Sequence, residues 1–109
     1  MIKAVRQALC AALLAFPAAA QVPGVTDTEI HLGAVLPLSG PVSFPGLGGL
    51  AGSRLAIAEF NEAGGIHGRM VRLRVEDDGY VPARSYQGLV RLLDEGIFAL
   101  VGTSGAAGL

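Results

Sequence analysis

LPLSGPVSFPGLGGLAG, residues 36–52, decides how the rest of the chain is read. An apolar strand ends near Leu36, a loop punctuated by Pro37, Gly40, Pro41 and Pro45 follows, and an Ala/Leu-rich helical pattern starts at about Leu47 to Leu50. Strand, loop and helix in that order describe a junction at the carboxyl end of a strand. In an open parallel sheet such junctions gather along one edge, where backbone N–H groups and helix N-termini face a crevice that takes ligands. Ser39 and Ser43 add hydroxyls to this lip, and the prolines fix φ along it, so that it holds its shape without a ligand. The same stretch also reads as a glycine-rich connection that only crosses the top of a sheet.

Upstream, residues 29–36 (EIHLGAVL) alternate Ile30, Leu32, Ala34 and Leu36 against His31 and Gly33, then turn wholly apolar, which predicts a strand. His31 falls on the other face as a solvated strand residue, with no second ligand at metal spacing. Downstream, the helix is predicted over residues 47–63, stopped by Gly64 and Gly65. Leu47, Leu50, Ala51, Leu55 and Ala58 share one side of it, with Arg54 and Asn61 intruding. A turn around an exposed His67 leads to residues 70–76 (MVRLRVE), where Val71, Leu73 and Val75 oppose Arg72, Arg74 and Glu76. That alternation predicts an edge strand with one wet face. Residues 82–94 predict a second helix with Tyr86, Leu89, Val90 and Leu93 as its buried stripe and Pro82 in its first turn, although Val81 is a poor N-cap. Residues 97–101 (IFALV) predict a strand buried on both faces, opening into Gly102, Thr103, Ser104 and Gly105.

The order is β-α-β-α-β, with connections too long for hairpins. Such connections require parallel strands and right-handed crossovers. An edge-like second strand and a buried third place the first strand between them. The predicted fold class is thus an α/β parallel unit of strand order 2-1-3, with the loop after strand one and residues 102–105 side by side at the switch point.

The chain has 109 residues and a net charge of −1 without basic or acidic blocks, so neither nucleic acid nor an anionic membrane surface is implied as a partner. Its first residues read as a secretory signal: Lys3 and Arg6, then an apolar run over residues 8–16, then Ala18, Ala19 and Ala20. That run is far short of the ~20 residues a membrane-spanning helix needs. Cys10, the one cysteine, lies inside it, and Gln7 stands where a lipoprotein signal has leucine. Residues 1–20 are therefore predicted to be a signal peptide and residues 21–109 a ligand-binding portion without thiol chemistry. The ending GTSGAAGL comes soon after an apolar strand and before any covering helix, which suggests a fragment of a longer protein.

Four constellations bear on chemistry. Gly46-Leu47-Gly48-Gly49-Leu50-Ala51 satisfies the dinucleotide pattern G-x-G-x-x-G/A, which keeps open a small exported nucleotide-binding domain of an enzyme. Against it, about ten residues separate this run from the strand, whereas that fold places its first glycine directly after one. Glu76, Asp77 and Asp78 read as a solvated loop, since adjacent acids point to different sides and no His or Lys partner is apparent. Ser39, Ser43 and Ser104 lack a base, so no nucleophile can be assembled and no catalytic or metal site is predicted. Thr103 and Ser104, two hydroxyls with free N–H groups after a strand, could hold a carboxylate without a counter-charge.

LPLSGP at residues 36–41, LAIAEFNEAGGIHGR at 55–69, VEDDGYVPAR at 75–84 and LLDEGIFALVG at 92–102 together resemble the start of a type I periplasmic binding protein of the branched-chain amino-acid (Leu/Ile/Val-binding) class. The resemblance implies a flavodoxin-like lobe one of a two-lobed receptor, which is no enzyme and has no cofactor. It further implies a periplasmic protein that captures an amino acid or small amide and delivers it to an ABC-transporter permease. It also implies that Thr103, Ser104 and Gly105 hold the ligand's carboxylate, that Phe44 and Pro45 close over its side chain, and that Ser39 lines the same lip. The chain departs from the family pattern in two ways: Ala106 and Ala107 stand where relatives often have serine, and Pro45 where a tryptophan can stand. If the signal reading holds, mass spectrometry of the exported protein will find Gln21 as the first residue; intact Met1 confined to the cytoplasm would contradict it.

Overall fold

The computed structural model describes residues 21–103, and the predicted signal peptide lies outside them. Three strands, β1 (Glu29–Leu36), β2 (Met70–Asp77) and β3 (Ala99–Thr103), form one parallel sheet of order β2-β1-β3. They alternate with two helices, α1 (Ser43–Glu62) and α2 (Pro82–Asp94). The α/β class and the 2-1-3 order are those predicted. The chain moves from β1 to β2 in one direction and from β2 back past β1 to β3 in the other. Right-handed crossovers in opposite directions put the two helices on opposite faces of the sheet. The packing follows: Ala34, Leu36, Leu73 and Val75 meet Leu50 of α1 on one face, while Val35 meets Leu92 of α2 and Ile97 on the other.

Helix α1 begins at Ser43, four residues before the predicted start, and takes Phe44, Pro45 and Gly46 into its first turn. Pro45 is compatible because the first backbone N–H groups of a helix have no intrahelical acceptor, so a missing one costs nothing. The face it turns inward is also not the one predicted. Gly46 and Leu50 are buried, with Ser53, Ile57 and Asn61 half-covered behind them, while Leu47 and Leu55 are exposed. Gly46 explains the rotation: a Cβ there would lie 2.0 Å from the Pro37 carbonyl oxygen, so only glycine lets the helix press on the loop. Asn61 belongs to this face for a polar reason. Its amide donates to the Val71 carbonyl (3.0 Å) and accepts from the Val71 N–H (2.8 Å), satisfying the outer edge of β2 as a further strand would. The helix stops as predicted. Gly64 N–H donates to Asn61 and Gly65 N–H to Phe60, both glycines at positive φ, which is the Schellman arrangement.

Helix α2 has its predicted bounds but not its predicted stripe. Ser85, Gly88 and Leu92 are buried and Tyr86 is 70% exposed. Gly88 lets the helix approach the Glu76 stem and Val35, where an added Cβ would sit 3.0 Å from the Glu76 Cβ. On the face of β2 expected to be wet, Arg72 is exposed, but Arg74 and Glu76 are half-covered and paired: Arg74 with Glu95, the residue following α2 (2.7 Å), and Glu76 with Arg91 (2.7 Å). His31 differs from its solvated reading too. Its side chain is 18% exposed, with Nε2 3.0 Å from Glu29, and Arg72 holds the same Glu29 carboxyl below the usual carboxylate range.

Strand β3 starts two residues later than predicted and is not buried on both faces: Leu100 is exposed and Ala99 and Val101 only half-covered. The reason is placement, since α2 lies over β1 and β2 while β3 pairs only with β1 among the described residues.

The glycines of α1 separate cleanly by what surrounds them. Gly49 has open space where a Cβ would go, so Gly49→Ala should raise stability by about 0.5–1 kcal/mol. Gly46→Ala should lower it by about 1–3 kcal/mol through the clash with Pro37. Urea unfolding of both variants checks the pair; equal effects would contradict the packing described.

Candidate functional site

Because all three strands are parallel, their carboxyl ends share one edge of the sheet, and the segments that leave them form a single rim. After β1 comes the loop of residues 37–42, after β2 the turn of residues 78–81, and β3 ends at Thr103. Asp77, the last residue of β2, ties the first two together. Its Oδ1 accepts the N–H of Leu38 (2.8 Å) from the β1 loop and the N–H of Gly79 (2.9 Å) from its own turn. The Ser39 hydroxyl, with the Leu38 and Gly79 N–H groups, holds the Asp77 carboxyl below the usual carboxylate range.

Asp78 beside it is 1% exposed, which overturns the solvated-loop reading of the acidic triplet for this residue. Its Oδ2 accepts the Ser85 hydroxyl (2.5 Å) and its Oδ1 the Tyr80 N–H (2.8 Å). The carboxylate thus anchors the entry to α2, where Val81 supplies no side-chain cap. Within the same turn Val81 N–H donates to the Asp78 carbonyl (2.9 Å), and both central residues, Gly79 (φ 54°) and Tyr80 (φ 64°), have positive φ, as in a type I′ turn. Glycine tolerates that conformation; a residue with a Cβ is strained there by roughly 1–2 kcal/mol.

On the other side of β1, β3 carries a bulge. Leu100 pairs with Gly33 and Thr103 with Val35, so three steps on β3 match two on β1, and Gly102 at φ 77° takes up the extra residue. Bulges of this kind re-aim the side chains that follow them. Thr103 directly follows the bulge and is exposed at the end of β3. Of the predicted carboxylate-holding set, Thr103 is on the rim, and Ser104 and Gly105 lie outside the described residues. Ser39 is on the rim as well, beside Asp77 on the β2 side of the β1 loop. Phe44 and Pro45 stand in the first turn of α1 rather than in a loop, with Phe44 87% exposed.

The same shift disposes of the dinucleotide pattern. Gly46 to Ala51 lie inside α1, where Gly46 is spent on contact with Pro37 and the later N–H groups serve the helix, so none of them cradles a phosphate. Among the described residues no three His, Cys, Asp or Glu side chains gather as metal ligands. Sequence reasoning missed Asp77 and Asp78, the Gly102 bulge and Tyr80. The signals available were an Asp-Gly pair directly after a strand, a serine seven residues beyond Asp78, and a glycine at a strand's end.

The Asp77 tie has a signed pH dependence. A carboxyl that binds its proton less readily when folded adds stability that is fully present above the ordinary carboxylate range and is lost as pH falls through the lowered folded value. Asp77→Ala should cost about 1 kcal/mol at neutral pH, at the low end because water reaches the group. The gap between parent and variant should close as pH falls below about 4. Urea unfolding across that range checks it, and a gap that stays constant with pH would contradict it.

Residues 29–109 match the family described as periplasmic binding protein. A Leu/Ile/Val-binding protein, BraC3, of Rhizobium johnstonii is 34% identical over 85 residues, which cover 76% of this chain and 23% of the relative. A fatty acid ABC transporter substrate-binding protein from Thermomonospora curvata superposes with a TM-score of 0.75 at 30% identity, over 82% of this chain and 23% of that one. The branched-chain amino acid transporter substrate-binding protein LivJ from Streptococcus pneumoniae, solved with isoleucine, gives 0.66 at 26% identity, over 74% of this chain and 24% of that one. The chain spans about a quarter of the length of the curated relatives it matches. With the 2-1-3 sheet, the loops at its carboxyl edge and the family match over residues 29–109 all in agreement, this chain belongs to the type I periplasmic binding proteins of the branched-chain amino-acid family.

Proposed function

We propose that the chain supplies the first part of lobe one in the substrate-binding component of a periplasmic ABC importer. In this reading the rim at the carboxyl edge grips one side of a small carboxylate ligand with an aliphatic tail, of the branched-chain amino-acid kind; a small amide presents a similar polar head. The observation that carries the reading is the Gly102 bulge, which ends β3 with an exposed Thr103 hydroxyl beside the central strand, at the switch point of the sheet. Two relatives of different named specificity, for branched-chain amino acids and for fatty acids, have in common ligands with a carboxylate and an aliphatic tail.

Each part of the rim has a role in this account. Thr103, with Ser104 and Gly105 after it, donates hydroxyl and amide hydrogens to the carboxylate. Charge-assisted bonds of this type do not need a cation beside them. Phe44, almost fully exposed in the first turn of α1, and Pro45 cover the tail. Ser39 and Asp77 hold the β1 loop in place. A second lobe closing over the ligand would exclude water and supply the remaining contacts, and a membrane permease would receive the ligand. The nucleotide-binding enzyme reading keeps no support, because the glycines it rested on are inside a helix.

Calorimetric titration of the full-length gene product with leucine tests the reading. Thr103→Val and Ser104→Ala, each shown to be folded, should weaken binding by about ten- to a hundredfold, corresponding to the roughly 1.5–3 kcal/mol of a hydrogen bond to a charged group. His67→Ala, in an exposed turn, should leave it unchanged. Leucine bound as tightly by both rim variants as by the parent would overturn the assignment of the carboxylate to this loop.

A further inference from the structure

We propose that Tyr80 is a specificity-determining residue of the crevice, its ring forming the wall against which the ligand's aliphatic tail packs; this rests on the ligand-capture reading above. Two residues other than glycine have positive φ among those described, His67 and Tyr80, and they differ in kind. His67 shares an exposed turn with Gly68, and histidine is among the residue types that accept the left-handed region. Tyrosine gains no such local tolerance, and glycine would serve the turn without strain. Tyr80 is 41% exposed, so a large part of the residue remains open to solvent. A strained position filled by a large, open aromatic is where a contact outside the fold is to be sought.

The location says which contact. Tyr80 stands at the carboxyl edge of the sheet, the edge at which open α/β sheets bind ligands. Its turn is locked from three directions: Asp78 accepts the Tyr80 N–H while bonded to Ser85, Val81 N–H closes the turn, and Asp77 joins the preceding Gly79 to Leu38 of the β1 loop. Gly79 lies against that loop, where an added Cβ would be 3.5 Å from the Ser39 Oγ. The ring is therefore presented from a fixed backbone platform, so the turn itself has little freedom to lose on contact. An uncharged aromatic face suits an aliphatic chain better than a charged or strongly hydrated group.

The test uses the full-length protein, freed of bound ligand, as parent, Tyr80→Gly and Tyr80→Phe. Thermal unfolding without ligand is read beside calorimetric affinities for leucine, isoleucine, valine and hexanoate. Tyr80→Gly should unfold at the parent's temperature or above, because glycine relieves the strain, yet bind the best of the four probes roughly three- to tenfold more weakly. Tyr80→Phe, which keeps the ring, should bind within about twofold of the parent. Two results would overturn the inference: unaltered affinities in Tyr80→Gly, which would assign the ring to a macromolecular partner, or a lowered unfolding temperature, which would make the ring a part of the fold. A parent that takes none of the four probes would overturn the capture reading and the role of Tyr80 with it.

Discussion

Strand β1 is hydrogen-bonded along both edges and covered on both faces, and the remaining structure is placed by that constraint. A strand with parallel neighbours on each side cannot be reached by hairpins, so every connection must cross over, and each crossover brings a helix. Ala34, Val35 and Leu36 are buried in succession because one helix covers the even positions and the other the odd ones. The chain can leave such a strand only at its end. In open sheets ligands bind where the connections on either side of such a strand diverge, and Thr103 and the β1 loop flank that point here.

What the constraint does not set is the shape of the rim, and here short polar contacts take over. Asp77 spans two loops far apart in sequence with two N–H bonds, and Asp78 fixes the turn that follows with a buried hydroxyl and an N–H. Gly46 brings α1 down onto Pro37 from the other side. These contacts are individually small, yet they act on backbone, so each fixes the direction of the residues beyond it. The surface pairs of Arg72, Arg74 and Arg91 with Glu29, Glu95 and Glu76 are of a different kind, solvated and worth little singly.

The topology was legible in the sequence because it depends on pattern and connection length, both of which survive local error. Strand β2 alternates plainly, the breaks at Gly64 and Gly65 are unambiguous, and the order 2-1-3 holds even though β3 is less covered than its apolar composition suggested. Helix faces were less legible. Apolar side chains such as Tyr86, Leu93, Leu47 and Leu55 pointed the reading outward, while Leu50 and Leu92 meet the sheet and the close approaches are made by Gly88 to Glu76, Gly46 to Pro37 and Ser85 to Asp78, residues that matter through what they lack or through one hydroxyl. The candidate site divides in the same way. Thr103 was found from its position after a strand, but the bulge that precedes it, the left-handed Tyr80 and the Asp77 tie depend on backbone angles and cross-loop distances that no single-sequence period encodes.

The central claim is that the carboxyl edge of this sheet, and not its amino edge, meets the ligand. Amide NMR of the full-length protein titrated with leucine addresses it directly, because both edges carry reporters. The account predicts that the amide signals of Phe44, Tyr80 and Thr103 shift with saturating leucine while those of Ile30, His31 and Val71 stay in place. Shifts confined to Ile30, His31 and Val71, with the three rim amides unmoved, would contradict it.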